Sequence, residues 1–253
     1  MQTIQSLEEW QRLRHTLSQD LNIGFVPTMG NLHQGHVTLL ARSKRDNDIS
    51  TASVFINPTQ FNNSEDFQHY PKTIEEDIAL MKQAGVDYCL CPEASAIYHD
   101  NYSYRVEETQ QNLILEGVKR PGHFNGVLTV VMKLLNLVKP HRSYFGEKDY
   151  QQYVLIRDMV RAFFIDTDII LCPTIREASG LACSSRNNRL NLEERILADK
   201  FAKIFHQPKS CEAIKIELTQ QGITVDYVED HEQRRFAAVH IGSVRLIDNY
   251  AMK

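Results

Sequence analysis

The 253-residue chain is defined first by what it has little of. Its five cysteines, Cys89, Cys91, Cys172, Cys183 and Cys211, are odd in number and form no Cys-x-x-Cys pair. That excludes a disulfide framework and a zinc knuckle, and reads as reduced thiols in a cytoplasmic protein. Positive charge is not in excess: the net charge is −4 and the pI is about 6.2. A nucleic-acid binder, whose affinity rests on neutralising phosphates, is therefore not expected. No apolar run approaches the roughly 20 residues that span a bilayer. The first residues, Met1-Gln2-Thr3-Ile4-Gln5, have neither the basic start nor the apolar core of a signal peptide. There is no phosphate loop ending in Gly-Lys-Ser/Thr, no Gly-x-Gly-x-x-Gly, no internal repeat and no low-complexity segment. What remains is an ordinary soluble composition, 42% hydrophobic and 24% charged, long enough for one large domain or a large and a small one.

Through about Thr174 the chain alternates strand and helix signals. Strands are expected at Ile23–Val26, Ile49–Ile56, Val86–Cys91, around Tyr144-Phe145 and at Thr167–Leu171. Helices are expected from Ser6 to about Leu17, Gly35 to Arg45, Thr73 to near Gly85, Gly126 to Val138 and Asp149 to about Phe164, with Ser6-Leu7-Glu8-Glu9 as a capping box and Thr73 as a cap. Such alternation predicts a parallel α/β sheet with right-handed crossovers. Beyond it come two helices, Asn191 to about His206 and Cys211 to Gln221, then three alternating runs, Ile223–Val228, Phe236–Ile241 and Val244–Ile247. The expected architecture is a Rossmann-like parallel-sheet domain over residues 1–174, followed by a small α+β domain over 175–253 placed to act as a lid.

The chemistry concentrates where strands give way to helices. Pro27-Thr28-Met29-Gly30-Asn31-Leu32-His33-Gln34-Gly35-His36 joins the first of these strands to a helix. The first backbone N–H groups of a helix lack partners within it, and its dipole is positive there, so the turn reads as an anion site. His33 and His36 add donors without the desolvation cost of buried lysines. Phe55-Ile56-Asn57-Pro58-Thr59-Gln60-Phe61 follows the second strand and brings two neutral amides to the strands' C-terminal ends. The polar stretch Asn62 to Lys72 reads as either a lid or a plain surface loop. Glu116-Gly117-Val118-Lys119-Arg120-Pro121-Gly122-His123-Phe124 precedes the most apolar helix. In Phe145-Gly146-Glu147-Lys148-Asp149-Tyr150-Gln151-Gln152, a strand again ends in a glycine before a helix; Lys148 is placed to reach phosphate, and Asp149 to cap the helix or meet a magnesium-bound water. Ser184-Ser185-Arg186-Asn187 offers hydroxyls and a guanidinium, a looser relative of the Lys-Met-Ser-Lys-Ser loop of class I synthetases.

The histidine block resembles the His-x-Gly-His signature of the nucleotidylyl-transferase superfamily. Together with Asn57-Pro58-Thr59-Gln60-Phe61, Arg120-Pro121-Gly122-His123-Phe124, Gly146-Glu147-Lys148-Asp149-Tyr150-Gln151-Gln152 and Ser184-Ser185-Arg186-Asn187, in this order, it resembles the pantoate–β-alanine ligase (pantothenate synthetase) family. The resemblance implies two steps. Pantoate carboxylate attacks the α-phosphate of ATP to give pantoyl adenylate and pyrophosphate, and the β-alanine amine then displaces AMP. It implies catalytic roles for His33, His36 (the proton donor), Lys148, Ser184, Ser185 and Arg186. It implies ATP contacts from Met29, Gly30, Asn31, Leu32, His33, Gln34, Gly35 and His36, from Gly146, Glu147, Lys148 and Asp149, and from Ile175, Cys183, Ser184, Ser185 and Arg186. Gln60 is implied for pantoate and β-alanine, Gln152 for pantoate, and Asn57, Arg120 and Glu116 as supporting members. Pro27, Met29 and Val130 would face the gem-dimethyl carbon of pantoate. Magnesium accompanies ATP in this picture, its ligands unassigned, and the assembly is a homodimer. The sequence departs from the family pattern at Asn125, Ser179, Cys183 and Lys72 and is short after Lys200. Three other readings share parts of the pattern. A nucleotidyltransferase that stops after moving AMP is separated by whether AMP release depends on β-alanine. A silent nucleotide-binding module is disfavoured by the joint presence of Lys148, both histidines and Ser184-Ser185-Arg186. A tRNA-charging enzyme is disfavoured by the acidic balance.

Overall fold

In the computed structural model, residues 1–62 and 67–252 are described. They form two compact units. One comprises Met1–Leu32, His36–Glu147 and Gln151–Cys172; the other comprises His33–Gly35, Lys148–Tyr150 and Pro173–Lys253.

The N-terminal unit is built on a six-stranded sheet of β1 (Gln2–Ile4), β2 (Ile23–Thr28), β3 (Ile49–Val54), β4 (Tyr88–Leu90), β5 (Arg142–Gly146) and β6 (Asp168–Cys172). Its order is β1-β4-β3-β2-β5-β6, and every pair is parallel. The helices are α1 (Leu7–Thr16), α2 (Gln34–Asp46), α3 (Ile74–Gln83), α4 (Ala94–Ile97), α5 (Leu115–Lys119), α6 (His123–Val138) and α7 (Tyr150–Ala162). A parallel sheet is covered on both faces, and alternation along β2 shows it. Ile23 and Phe25 enter a core filled by α6 and α7, while Val26 joins Leu40 of α2 and Met81 of α3 in a second core. α6 supplies much of the first core because eleven of its sixteen residues are buried, among them Phe124, Leu128, Val131 and Leu135.

Strand order reverses at β2, which lies between β3 and β5. In open α/β sheets, ligands bind at such a switch point, beyond the strands' C-terminal ends. β2 runs to Thr28, past its expected end at Val26, and so contains Pro27. It pairs with β3 along all six residues, Ile23↔Ile49 to Thr28↔Val54, but with β5 only at Gly24↔Arg142 and Phe25↔Ser143. Proline has no N–H to donate to a ladder. The β2–β5 ladder therefore ends before Pro27, and the switch point opens where the histidine and lysine turns begin.

The C-terminal unit packs α8 (Leu192–Phe205) and α9 (Cys211–Gln220) against an antiparallel sheet of β7 (Thr224–His231), β8 (Arg234–Ile241) and β9 (Val244–Ala251), ordered β7-β8-β9. Phe201, Phe205, Ile214, Leu218, Val228 and Val239 fill a core of its own. Asn191 and Glu194 complete a reciprocal capping box on α8. Glu232 and Gln233 join β7 to β8 with φ of 46° and 61°, the left-handed pair of a type I′ turn.

Several expected features differ in detail. The Ser6 cap of α1 has one arm of the expected box: its hydroxyl accepts from Glu9 N at 3.2 Å and donates to Glu8. Thr73 makes no cap bond to α3; its hydroxyl instead donates to Asp77 at 3.1 Å. β1, α4 and α5 were not expected. Of the stretch read as lid or loop, residues 63–66 lie outside the described residues, while Phe61 packs edge-on against Phe67 and Tyr70.

Candidate active site

The histidine turn is held by a carboxylate that the sequence did not single out. Asp77 of α3 is 1% exposed and accepts from Asn31 N at 2.9 Å, Leu32 N at 2.7 Å and the Thr73 hydroxyl. Gly30, at φ 80°, would carry a Cβ 2.9 Å from that same carboxylate, so a side chain there would meet both strain and a clash. Gly30 N donates to the Thr28 hydroxyl at 3.2 Å. The amides of Gly30, Asn31 and Leu32 are thus engaged within the unit. The anion site expected of the first helix N–H groups, with His33 and His36, would lie beyond these three amides, at the start of α2.

His33 is built for that task. Burial, then the charge of Lys148, pull its pKa down to about 4 against a smaller opposing effect of Asp149. The ring is therefore neutral at pH 7. Its Nδ1 accepts from Gly35 N at 3.1 Å, which puts the proton on Nε2 as a donor. His36 sits half-buried in the first turn of α2. Lys148 belongs to the same unit as His33; its side chain is 17% exposed and its Nζ is 3.7 Å from Asp149 Oδ1. Glu147–Asp149 forms a single 3-10 turn ahead of α7. Gly146 keeps a φ outside the left-handed region, and a Cβ there would meet nothing within 4 Å.

Ser184 caps the 3-10 turn Ser185–Arg189 by accepting from Arg186 N at 3.2 Å. Ahead of it, Cys183 N donates to Ile175 O at 2.9 Å, and Arg176 bridges to Ala182, folding the segment back on itself. Asn187, 5% exposed, donates to Glu177 and to Ala182 O.

In the N-terminal unit, Asn57 is 1% exposed and its amide is fully engaged. Its Nδ2 donates to Gln60 Oε1 at 2.9 Å and to Gly126 O at 3.2 Å, while its Oδ1 accepts from Tyr98 OH at 2.6 Å and Thr59 Oγ1 at 2.9 Å. Burial pushes the Tyr98 hydroxyl up to about 12 despite those hydrogen bonds, so it stays a donor. With Gln60 Oε1 held, its Nε2 is the donor left to face a ligand. His123 Nε2 lies 2.9 Å from Arg120 Nη1 and can only accept there, so Nδ1–H donates to Gln60 O at 2.9 Å. Glu116 is 3.8 Å from Arg120, and its backbone N donates to the buried Gln151 amide at 3.1 Å. A polar cavity of about 190 Å³ is lined in part by Gln60, Asn62, Arg105, His123 and Asn125.

Of the residues singled out by sequence, Met29, Gly30, Asn31, Leu32, His36, Asn57, Gln60, Glu116, Arg120, Gly146, Glu147 and Gln152 belong to the N-terminal unit. His33, Gln34, Gly35, Lys148, Asp149, Ile175, Cys183, Ser184, Ser185 and Arg186 belong to the other. Asp77, Tyr98, His123 and Gln151 were missed as supports. Asp77 was hidden in the acidic first turn of a helix, where carboxylates are ordinary.

A family model described as pantoate-beta-alanine ligase matches residues 1–251. The chain belongs to the pantoate–β-alanine ligase family. Pantothenate synthetase of Legionella pneumophila strain Corby is 58% identical over 252 residues, 100% of each chain. That of Coxiella burnetii strain Dugway 5J108-111 is 55% identical over 246 residues, 97% of this chain and 95% of its own. Among solved structures, pantoate-beta-alanine ligase of Francisella tularensis, complexed with beta-gamma ATP and beta-alanine, superposes with a TM-score of 0.96 at 42% identity, covering 99% of this chain and 97% of its own. Pantothenate synthetase of Thermus thermophilus gives 0.90 at 37% identity, covering 99% of each. The parallel sheet with its small antiparallel companion is thus the fold of pantoate–β-alanine ligases.

Proposed function

We propose that the protein joins pantoate to β-alanine with ATP, through pantoyl adenylate, releasing pyrophosphate and then AMP. Family membership over the whole chain supports this, and so does the matched Francisella protein's complex with a nucleotide and β-alanine. The observation that carries the reading is His33, neutral and with its proton on Nε2, beside Lys148. A neutral imidazole donor beside the lysine adds to polyanion binding without leaving a further uncompensated buried charge when the nucleotide departs.

In this reading Lys148, His33, His36, Ser184, Ser185 and Arg186 stabilise the charge that builds on phosphate oxygens as the pantoate carboxylate attacks. That carboxylate is already ionised and needs no base. The turn from Met29 to His36, Gly146–Asp149, the Ile175 backbone and Cys183–Arg186 cradle ATP. Gly146, with open space where a side chain would stand, lets a ligand approach the backbone. Gln60 Nε2 and Gln152 read the hydroxyls of pantoate, and Asn57, Glu116 and Arg120 hold Gln60 and its surroundings. Gln60 also orients β-alanine, whose amine completes the reaction by displacing AMP. Proximity supplies much of that second step.

Magnesium fits as an ion carried in with ATP. Among the described residues there is no cluster of three or more His, Cys, Asp or Glu that would hold a metal, and magnesium commonly takes phosphate oxygens and waters with one carboxylate. Asp149, 47% exposed at its side chain, would be the carboxylate placed to meet a magnesium-bound water. The bound ion neutralises triphosphate charge. Residues 1–174 act as the ATP- and pantoate-binding domain and 175–253 as the lid; the separate apolar core of the C-terminal unit supports that division. A homodimer and a cytoplasmic setting complete the proposal, the latter favoured by five unpaired cysteines.

The test supplies ATP, magnesium, pantoate and β-alanine, omits each in turn, and follows AMP. AMP should require all four, and Lys148→Ala should lower adenylate formation by about 10²–10³-fold with an unchanged circular-dichroism spectrum. AMP release without β-alanine, or near-normal turnover by the variant, would refute the reading.

A further inference from the structure

We propose that Asp248 and Asn249, neighbours in β9, are positioning residues that set the two triphosphate-binding segments of the C-terminal unit, the Lys148 turn and the 175–186 segment, against one strand. The proposal rests on the nucleotide-binding reading above. Each residue is 3% exposed, so each acts through others rather than on a ligand. Successive side chains of a strand point to opposite faces, so a single dipeptide can serve two segments.

Asn249 serves the first. Its Nδ2 donates to Lys148 O at 2.7 Å, and its Oδ1 accepts from Arg234. The Arg234 guanidinium in turn lies 4.0 Å from the centre of the Tyr150 ring, on the other side of Asp149. The orientation of the amide is fixed chemically, because only NH2 donates to a carbonyl and only the oxygen accepts from a guanidinium. The backbone of Lys148 is therefore gripped while its side chain is left to reach.

Asp248 serves the second. Arg176 Nη1 and Nη2 fork onto its two oxygens at 2.6 and 2.9 Å, and His206 Nε2 approaches at 3.1 Å. The same guanidinium also donates to Gly180 O at 3.1 Å and Asn249 O at 3.3 Å. The hairpin that ends in Cys183–Arg186 is thereby pinned at its base and at its tip, and Asp248 Oδ1 closes the pair by accepting from Asn249 N at 2.7 Å. Lysine in place of Arg176 would keep the charge but lose the fork.

The experiment compares Asn249→Asp and Arg176→Lys with the parent enzyme in pantoate-dependent ATP–pyrophosphate exchange and in full turnover, per mole of folded protein. Asn249→Asp keeps shape and the contact to Arg234 but turns an acceptor toward Lys148 O. It should raise KM for ATP and slow exchange, about 10-fold in the combined ratio, with KM for β-alanine unchanged. Arg176→Lys should move the same two quantities in the same direction. Asp230→Asn, which breaks the Arg235 ion pair elsewhere on the sheet, serves as a control that lowers thermal stability without moving KM for ATP. Unchanged exchange and KM for ATP in the folded variants would overturn the proposal, as would a uniform loss matching the control. If Asn249→Asp fails to fold, Arg176→Lys decides. Normal exchange in Lys148→Ala would instead bring down the nucleotide-binding reading itself.

Discussion

A histidine that donates to an anion must keep its proton on the right nitrogen and must not drift in charge across the working pH. His33 meets both conditions through its surroundings, burial and the nearby Lys148 lowering its pKa to about 4 while Gly35 N occupies Nδ1. The stability consequence has a definite sign. The unfolded chain, with an ordinary histidine near 6.5, takes up a proton between pH 6.5 and 4 where the folded chain does not. The contribution is therefore whole above about pH 6.5 and is lost as pH falls toward 4, amounting to roughly 3 kcal/mol at most. His33→Asn should flatten the acid side of a plot of denaturation midpoint against pH; parallel curves for the two proteins would count against the half-buried, neutral ring. His33 and Lys148 were legible in sequence because both stand at strand-to-helix junctions. The tautomer was not, since it depends on one backbone amide two residues away. Asp77 was equally hidden, because nothing in Thr73-Ile74-Glu75-Glu76-Asp77 tells a solvated helix start from a brace.

At the scale of elements, the amide cluster depends on a close approach between α6 and the Pro58–Gln60 turn. A Cβ on Gly126 would lie 2.4 Å from Thr59 O and 2.6 Å from Thr59 C. Both neighbours are backbone, so Gly126→Ala must push the turn away, at a cost of about 1–3 kcal/mol. It should also stretch the Asn57 bond to Gly126 O. Lower thermal stability together with a raised KM for pantoate is the expected result; a stable variant with unchanged pantoate kinetics would show that the turn relaxes freely. The long elements were readable because their signals are strong: α6 from its apolar run, α8 from its capping box, the β strands from branched residues. β1, α4 and α5 escaped because three to five residues carry no periodicity, and their structure comes from tertiary contacts, as where Ile4 is buried against the core.

Over the whole molecule, two apolar cores hold the N-terminal unit and a third holds the other, and the catalytic candidates divide between the two units. The alternation of strand and helix announced the first unit, and the change of pattern after Thr174 announced the second. The assignment of His33–Gly35 and Lys148–Tyr150 to the second unit was beyond sequence reasoning, since it joins residues far apart along the chain. The central pairing is just as non-local: Ser143 of β5 bonds Phe25 of β2 across 118 residues. During synthesis at about 5–20 residues per second, β2 therefore leaves the ribosome on the order of ten seconds before its second neighbour exists. For that interval one side of a buried apolar strand is an open invitation to other nascent chains. Proline blunts such an edge, and Pro27→Val should give more light scattering during refolding and less soluble product in cell-free translation; equal yields would sink the idea. The residue that keeps the finished sheet ajar would then also be guarding it while it is being made.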